Sequence, residues 1–175
     1  MKVINNFLNI DDFKRIQDMF LSEKCKWEWS NVVENDDSFY NYQFVHGVYL
    51  PTLLIKKGCN PEDIFKEIPI PEMPEIKPLL KSLKTSAIIK IKANLTTRTP
   101  TIIEHGFHVD HFFPNAKTAI LYLNTCDGYT LFANGDKVES LENRIVIFDS
   151  NTPHTGTTVS NRQRRIVLNI NYYPD

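Results

Sequence analysis

The sequence predicts an α+β protein that is mainly β, in which helices from the N-terminal part support a sandwich or barrel of short strands. Helix-start signals and helical periodicity are confined to residues 1–85. From Ser86 onward, apolar or alternating segments are separated by turn residues, which is the pattern of short strands. Short strands that follow a helical region favour a helix-supported β sandwich or barrel.

Size and composition are those of an ordinary globular protein. With 175 residues we expect one domain, residues 1–175, in which 1–85 support a β core formed by 86–173. The net charge of −1 gives no electrostatic argument for nucleic acid or anionic membranes, although it does not exclude nucleic acid. The sequence does not indicate the oligomeric state.

Cysteine usage and hydropathy both favour a cytoplasmic protein. The three cysteines are odd in number and form no CxxC pair, so a reducing compartment is expected; they are Cys25, Cys59 and Cys126. No stretch approaches 18 apolar residues, and the N-terminus has no apolar core of a signal peptide, so we expect neither secretion nor a membrane span.

Three helices are predicted in the N-terminal part. Asn9 is a good N-cap, Asp12 falls in the first turn, and apolar residues then recur every three or four positions, which predicts a helix over 10–23. A second helix is expected from Asn60, which precedes a proline and two acidic residues. The third and shortest is predicted over 76–83.

The strands are predicted from alternation, apolar runs and turn signals. Asp127-Gly128 and Asn134-Gly135 are the strongest hairpin signals in the chain. The predicted strands are Val3–Leu8, Trp27–Trp29, Tyr40–His46, Ala87–Leu95, Lys117–Asn124, Arg144–Phe148 and Arg165–Tyr172.

One pattern in the β region indicates a metal site. His108 and Asp110 are two positions apart in an extended segment, so their side chains project to the same face. His154, in a turn directly after a strand, can add a third ligand if the sheet folds back. Two imidazoles and one carboxylate with the remaining positions open form the ligand set of non-haem Fe(II) oxygenases.

Several segments together carry a resemblance to a known family. They are Gly106–Asp110, Ile120–Asn124, Arg144–Asp149, Pro153–Gly156 and Arg164–Asn169. In this order and spacing the chain resembles the 2-oxoglutarate- and Fe(II)-dependent oxygenase superfamily over residues 86–173. It looks most like the prolyl-hydroxylase-like branch and the small oxygenases of bacteria and phages.

The resemblance implies a double-stranded β-helix (jelly-roll) core with N-terminal helices packed on one sheet. It implies Fe(II) bound by His108, Asp110 and His154, with 2-oxoglutarate and O2 as co-substrates and ascorbate as a candidate accessory. The expected function is a dioxygenase that hydroxylates a C–H bond and releases succinate and CO2. The expected substrate is a prolyl or other peptide side chain or a small molecule. The alternative is a cupin-like jelly-roll that binds a metal without oxygenase activity.

The resemblance also implies a basic residue that pairs with the distal carboxylate of 2-oxoglutarate. Arg164 and Arg165 are both available, and they must point to opposite faces of their strand. The family pattern favours Arg165, whereas the count from His154 slightly favours Arg164. Tyr122 is expected to contact the co-substrate by analogy; a buried tyrosine satisfied by a backbone carbonyl is the other interpretation.

The remaining polar residues near these motifs have ordinary interpretations. His105 and His111 are expected on the opposite face or at the rim of the pocket, and His46 is expected to be a partly exposed histidine. Lys92 and Arg98 could meet an anionic substrate, but solvation at a strand edge is the default expectation.

Overall fold

The computed structural model of the protein describes residues 1–33, 38–50 and 74–175. Cys59 and the predicted helix from Asn60 lie outside the described residues. The helices are α1 (Ile10–Leu21) and α2 (Lys77–Ser82). The strands are β1 (Lys2–Ile4), β2 (Glu28–Ser30), β3 (Gln43–Tyr49), β4 (Thr85–Thr97), β5 (Lys117–Tyr122), β6 (Tyr129–Phe132), β7 (Lys137–Glu139), β8 (Ile145–Asp149), β9 (His154–Gly156) and β10 (Arg164–Pro174).

Helix α1 forms where its capping signal and apolar period predict it. The Asn9 side chain accepts a hydrogen bond of 3.0 Å from the amide of Asp12, which satisfies one of the free donors of the first turn. Phe13, Ile16 and Phe20 are fully buried on one face. The helix ends at Leu21, two residues before the predicted boundary, because the backbone of Ser22 is already extended.

The strands form two antiparallel sheets that face each other. The larger sheet has the order β1-β8-β5-β10-β4-β3-β2, and the smaller has the order β7-β6-β9. An isolated bridge between His108 and His154 adds the segment around His108 to the free edge of β9. The jelly-roll is therefore made of β8-β5-β10-β4 on one side and β7-β6-β9 with the His108 segment on the other, as predicted.

Alternation along the central strands divides the core into two layers. On the outer face of the larger sheet, α1 and α2 pack onto residues such as Leu121, Leu168 and Ile91. On the inner face, a second cluster packs beside the cavity described below; its members are Ile120, Tyr122, Phe132, Val138, Val146, Phe148 and Val167. The polar residues of the inner face lie mainly on β4 and β10 and line that cavity.

The two hairpin signals have different outcomes. Asn134-Gly135 connects β6 to β7 as predicted, and Gly135 has the positive φ of 91° that this turn requires. The prediction for Asp127-Gly128 was wrong, because β5 and β6 belong to different sheets. The Asp127 carboxylate instead accepts a 2.9 Å hydrogen bond from the amide of Ser160 and ties two connections together.

Among the described residues, no helix combines the length and apolar character needed to cross a bilayer.

Candidate metal centre and its cavity

His108, Asp110 and His154 converge at one end of the space between the sheets. The amide of His108 donates to the carbonyl of His154 at 3.0 Å, and the amide of His154 donates back at 2.9 Å. This reciprocal pair holds the two imidazole rings side by side, with centroids 4.7 Å apart. One potential ligand atom from each of the three residues lies within 4.8 Å of the others. The spacing is compatible with a single ion held between them.

Asp110 is held in place by three neighbouring strands. Its Oδ2 atom accepts hydrogen bonds from Thr118 Oγ1 at 2.9 Å, Asn169 Nδ2 at 3.2 Å and Asn171 Nδ2 at 3.1 Å. Lys90 Nζ lies 3.5 Å from Oδ1, and both side chains of this ion pair are largely buried. Four donors therefore fix the orientation of the Asp110 carboxylate. A metal ligand must be held in one orientation, so this support suits coordination of an ion.

The same surroundings keep this carboxyl group ionised. Burial by itself would raise the pKa of Asp110, but the charges of Lys90 and His154 and the hydrogen bond from Thr118 hold that pKa well below its ordinary value. Asp110 is therefore an anion at neutral pH, which is the state that coordinates a cation.

Both histidines can present Nε2 to a metal. The Nδ1 atom of His154 lies 2.9 Å from the carbonyl oxygen of Thr152, and that of His108 lies 3.5 Å from the carbonyl oxygen of Gly106. A carbonyl oxygen only accepts hydrogen bonds, so these contacts favour a proton on Nδ1 and a lone pair on Nε2. Burial, followed by the neighbouring His154, lowers the pKa of His108 and so favours its neutral form.

The triad lies at one end of a cavity of about 180 Å³. Its floor is made by inward-facing residues of β4 and β10, which pair across the larger sheet. From the metal end outward the opposed pairs are Lys90–Asn171, Lys92–Asn169, Asn94–Val167 and Thr96–Arg165. The cavity thus runs along the strands from Asp110 toward Arg165.

The two arginines lie on opposite faces of β10. Arg165 is 4% exposed and lines the cavity; its Nε donates to Ser140 Oγ at 2.7 Å and its Nη2 to Thr130 Oγ1 at 3.2 Å. Arg164 points to the helix side, where its Nη2 donates to the Leu21 carbonyl at 3.1 Å. Among the described residues no carboxylate forms an ion pair with Arg165.

Tyr122 lies under Arg165 and does not line the cavity. It is fully buried, its ring centroid is 5.6 Å from the guanidinium carbon, and its hydroxyl donates to Thr130 Oγ1 at 2.8 Å. The backbone carbonyl of Val138 is a longer contact at 3.4 Å. Tyr122 is therefore a buried tyrosine whose shorter hydrogen bond goes to a side-chain hydroxyl and not to a backbone carbonyl, and its contact with the co-substrate stays a prediction.

The other histidines have distinct places. His105 is 9% exposed and lines the cavity, so it does not lie on the opposite face. His111 is half-buried and stacks on Phe113, with ring centroids 5.2 Å apart. His46 is half-buried, as expected, and its Nδ1 lies 2.8 Å from the carbonyl oxygen of Lys26.

The position of Lys92 differs from the expectation that it is solvated at a strand edge. It is not solvated at a strand edge, because β4 has β10 on one side and β3 on the other, and its side chain faces the cavity. The residues that sequence reasoning missed are Lys90, Thr118, Asn169 and Asn171, which hold Asp110. The alternation of Lys90, Lys92, Asn94 and Thr96 with apolar residues was the available signal.

Comparisons with known proteins identify the fold. No family model matches the chain, and no curated protein does. Among solved structures, the non-heme alpha ketoglutarate dependent epimerase SnoN from nogalamycin biosynthesis is 14% identical, with 98% of this chain and 76% of that chain covered and a TM-score of 0.60. A Trichoplax adhaerens prolyl hydroxylase in complex with a hypoxia inducible factor peptide is also 14% identical, with 98% and 82% covered and a TM-score of 0.59.

A third structure gives the same result. A Burkholderia pseudomallei oxidoreductase of the 2OG-Fe(II) oxygenase family is 11% identical, with 97% of this chain and 84% of that chain covered and a TM-score of 0.58. At these identities the similarity concerns the fold. The chain therefore has the double-stranded β-helix fold of the 2-oxoglutarate- and Fe(II)-dependent oxygenases.

Proposed function

We propose that the protein is an Fe(II)- and 2-oxoglutarate-dependent dioxygenase that hydroxylates a C–H bond of its substrate and releases succinate and CO2. The observation that carries this proposal is that one cavity contains both a candidate iron site and a buried arginine. Three residues with the donor set of a non-haem iron site lie at one end, and a buried arginine without a carboxylate partner among the described residues lies toward the other.

In this proposal His108, Asp110 and His154 hold Fe(II). The donor set fits the ion, since two imidazoles and one ionised carboxylate supply borderline nitrogen and hard oxygen ligands. When bound there, Fe(II) with 2-oxoglutarate and O2 supplies the oxidising chemistry that couples co-substrate decarboxylation to C–H hydroxylation.

Arg165 has the role of binding the distal carboxylate of 2-oxoglutarate. A guanidinium forms bidentate, charge-assisted hydrogen bonds to a carboxylate. Ser140 and Thr130 hold its Nε and Nη2, and Nη1 approaches the backbone at Gly156, where an added Cβ would lie 3.4 Å away. This support fixes the direction of the guanidinium before the co-substrate arrives.

The substrate is assigned only as a class. One matching structure is a prolyl hydroxylase with a peptide, and another is an epimerase of a biosynthetic route. Peptide side chains and small molecules therefore both belong to the proposal, and nucleic acid is the less favoured class because the chain carries a net charge of −1.

Succinate formation from 2-oxoglutarate tests the proposal. We expect the Fe(II)-loaded protein to form succinate in air, alone or with a panel of peptides, amino acids and nucleosides. His108→Ala should reduce the rate to background, because the metal loses a ligand. This variant is preferable to Asp110→Ala, which would leave the buried Lys90 without its partner.

Two results would contradict the proposal. In the first, the wild-type protein binds metal but forms no succinate with any compound, and its melting temperature does not change when 2-oxoglutarate is added. This result would favour the metal-binding jelly-roll without oxygenase activity. The other is full succinate formation by a correctly folded His108→Ala variant. Circular dichroism of both proteins is the control for folding.

A further inference from the structure

The floor of the cavity contains a cation that the proposed chemistry does not use. Lys92 faces the cavity from β4, directly opposite Asn169 of β10. It is largely buried, and among the described residues no carboxylate forms an ion pair with it. Lys90, by contrast, forms an ion pair with Asp110, with 3.5 Å between Nζ and Oδ1.

The burial of Lys92 is unfavourable in the protein as it stands. Burial, and then the nearby charge of Lys90, lower its pKa to about 8, and the opposing attraction of Asp110 does not restore it. Buried ammonium groups normally have an anionic partner, since desolvation of an isolated charge is costly. A buried ammonium group without an anionic partner in the protein is suited to bind an anionic ligand.

The charges that line the cavity give the same indication. Among its described lining residues, Lys90, Lys92 and Arg165 are cationic and Asp110 is the only carboxylate. The lining therefore has an excess of two positive charges. A divalent metal and the dianion 2-oxoglutarate cancel each other, so the excess remains in the loaded site and favours a further anion.

Polar groups next to Lys92 are also without partners. Among the described residues, the buried Oδ1 atoms of Asn94 and Asn169 have no hydrogen-bond partner. Both residues line the cavity, and Asn169 is the cross-strand neighbour of Lys92. Both Oδ1 atoms are acceptors and need a hydrogen-bond donor, so an apolar substrate would leave them unsatisfied, whereas a substrate with an N–H or O–H group beside its anionic group can satisfy them.

We propose that Lys92 is the substrate-binding cation of this cavity and that the substrate carries a carboxylate or phosphate group beside the C–H bond to be oxidised. This inference rests on the proposed function, because it takes Arg165 and the metal to hold 2-oxoglutarate. It assigns Lys92 to the substrate, and it predicts that neutral analogues of the substrate bind poorly.

Binding of small anions tests the inference without turnover. The probes are acetate, methyl phosphate and the uncharged acetamide, added at constant ionic strength to Mn(II)-loaded protein saturated with 2-oxoglutarate. We expect one or both anions, but not acetamide, to raise the melting temperature. The anion with the larger effect identifies the substrate group as a carboxylate or a phosphate.

Matched variants assign the effect to Lys92. Lys92→Met should weaken anion binding at least about tenfold, which corresponds to about 1.4 kcal/mol. Lys24→Met is the control, because Lys24 is an exposed lysine of the N-terminal region and should keep the wild-type response. The inference is overturned if neither anion stabilises the wild-type protein or if Lys92→Met responds as the wild type does.

Three further results separate this inference from the proposed function. If Lys92→Met weakens 2-oxoglutarate binding as strongly as Arg165→Met, Lys92 belongs to the co-substrate site and the inference is wrong. If the wild-type protein forms succinate but no anion binds, only the inference fails. If no succinate forms and 2-oxoglutarate does not change the melting temperature, the proposed function fails, and the same anion titration without 2-oxoglutarate still decides whether Lys92 binds anions.

Discussion

Lys92 and Asp110 show how single residues determine the electrostatics of the cavity. Asp110 is surrounded by donors, and it stays ionised in spite of its burial. Lys92 is buried two positions from Lys90 on the same face of β4, so its positive charge has a like charge as neighbour. The carboxylate is therefore stabilised within the protein, while the ammonium requires a ligand.

The cost of burying Lys92 should be measurable as stability. The pKa of Lys92 is lowered to about 8 in the folded protein, below its ordinary value in an unfolded chain. The unfolded state binds more protons between these two values, so the penalty is complete below about pH 8 and disappears as the pH rises past the unfolded pKa of about 10.4. Lys92→Met should therefore raise the melting temperature of the metal-free protein by a few degrees at pH 7.

Thermal unfolding of both proteins between pH 7 and pH 10.5 checks this prediction. The difference should shrink as the pH rises, since the wild-type lysine becomes neutral in both states. A Lys92→Met variant that is less stable than the wild type at pH 7 would show that Lys92 already has a stabilising partner. Lys24→Met should have little effect at any pH, because its side chain is exposed.

At the level of elements, the alternation of β10 separates the support of the fold from the site. Ile166, Leu168 and Ile170 face the helices, whereas Arg165, Val167 and Asn169 face the cavity. This division could be predicted, because the side chains of a strand alternate between its two faces. The choice between the two arginines needed the structure, since it depends on which face the helices cover.

The Asp127-Gly128 connection shows what local sequence signals cannot give. A turn dipeptide indicates a reversal of the chain, but it does not tell which sheet the next strand joins. Here the chain crosses from the larger to the smaller sheet, and Gly128 lies against the stem of Arg165. A Cβ atom on Gly128 would lie 2.6 Å from Arg165 Cδ and 2.8 Å from the carbonyl oxygen of Thr158.

Gly128→Ala should therefore displace the Arg165 side chain by direct contact. We expect the KM for 2-oxoglutarate to rise several-fold and the melting temperature to fall, because the backbone contact cannot give way easily. Gly135→Ala is the matched control: its positive φ of 91° strains an alanine and lowers stability, but no other atom is near. Equal KM values in the two variants would contradict a specific effect on Arg165.

At the level of the whole molecule, two sheets bring together residues that are far apart in the chain. The candidate metal ligands come after β4 and at the start of β9, and the two histidines meet because the His108 segment pairs with β9. The jelly-roll and the candidate triad were predictable from the order and spacing of motifs. The support of Asp110 by Lys90, Asn169 and Asn171 was not, because it depends on the register of β4 against β10.

We expect the candidate metal triad and Arg165 to hold the two ends of one 2-oxoglutarate molecule. Titration calorimetry of 2-oxoglutarate, without oxygen, into Mn(II)-loaded protein tests this claim most directly. We predict that 2-oxoglutarate binding requires the metal. Arg165→Met should weaken this binding roughly tenfold or more, because a charge-assisted pair is lost, whereas Arg164→Met should leave it unchanged. Binding that persists without metal, or that Arg164→Met abolishes while Arg165→Met does not, would contradict the claim.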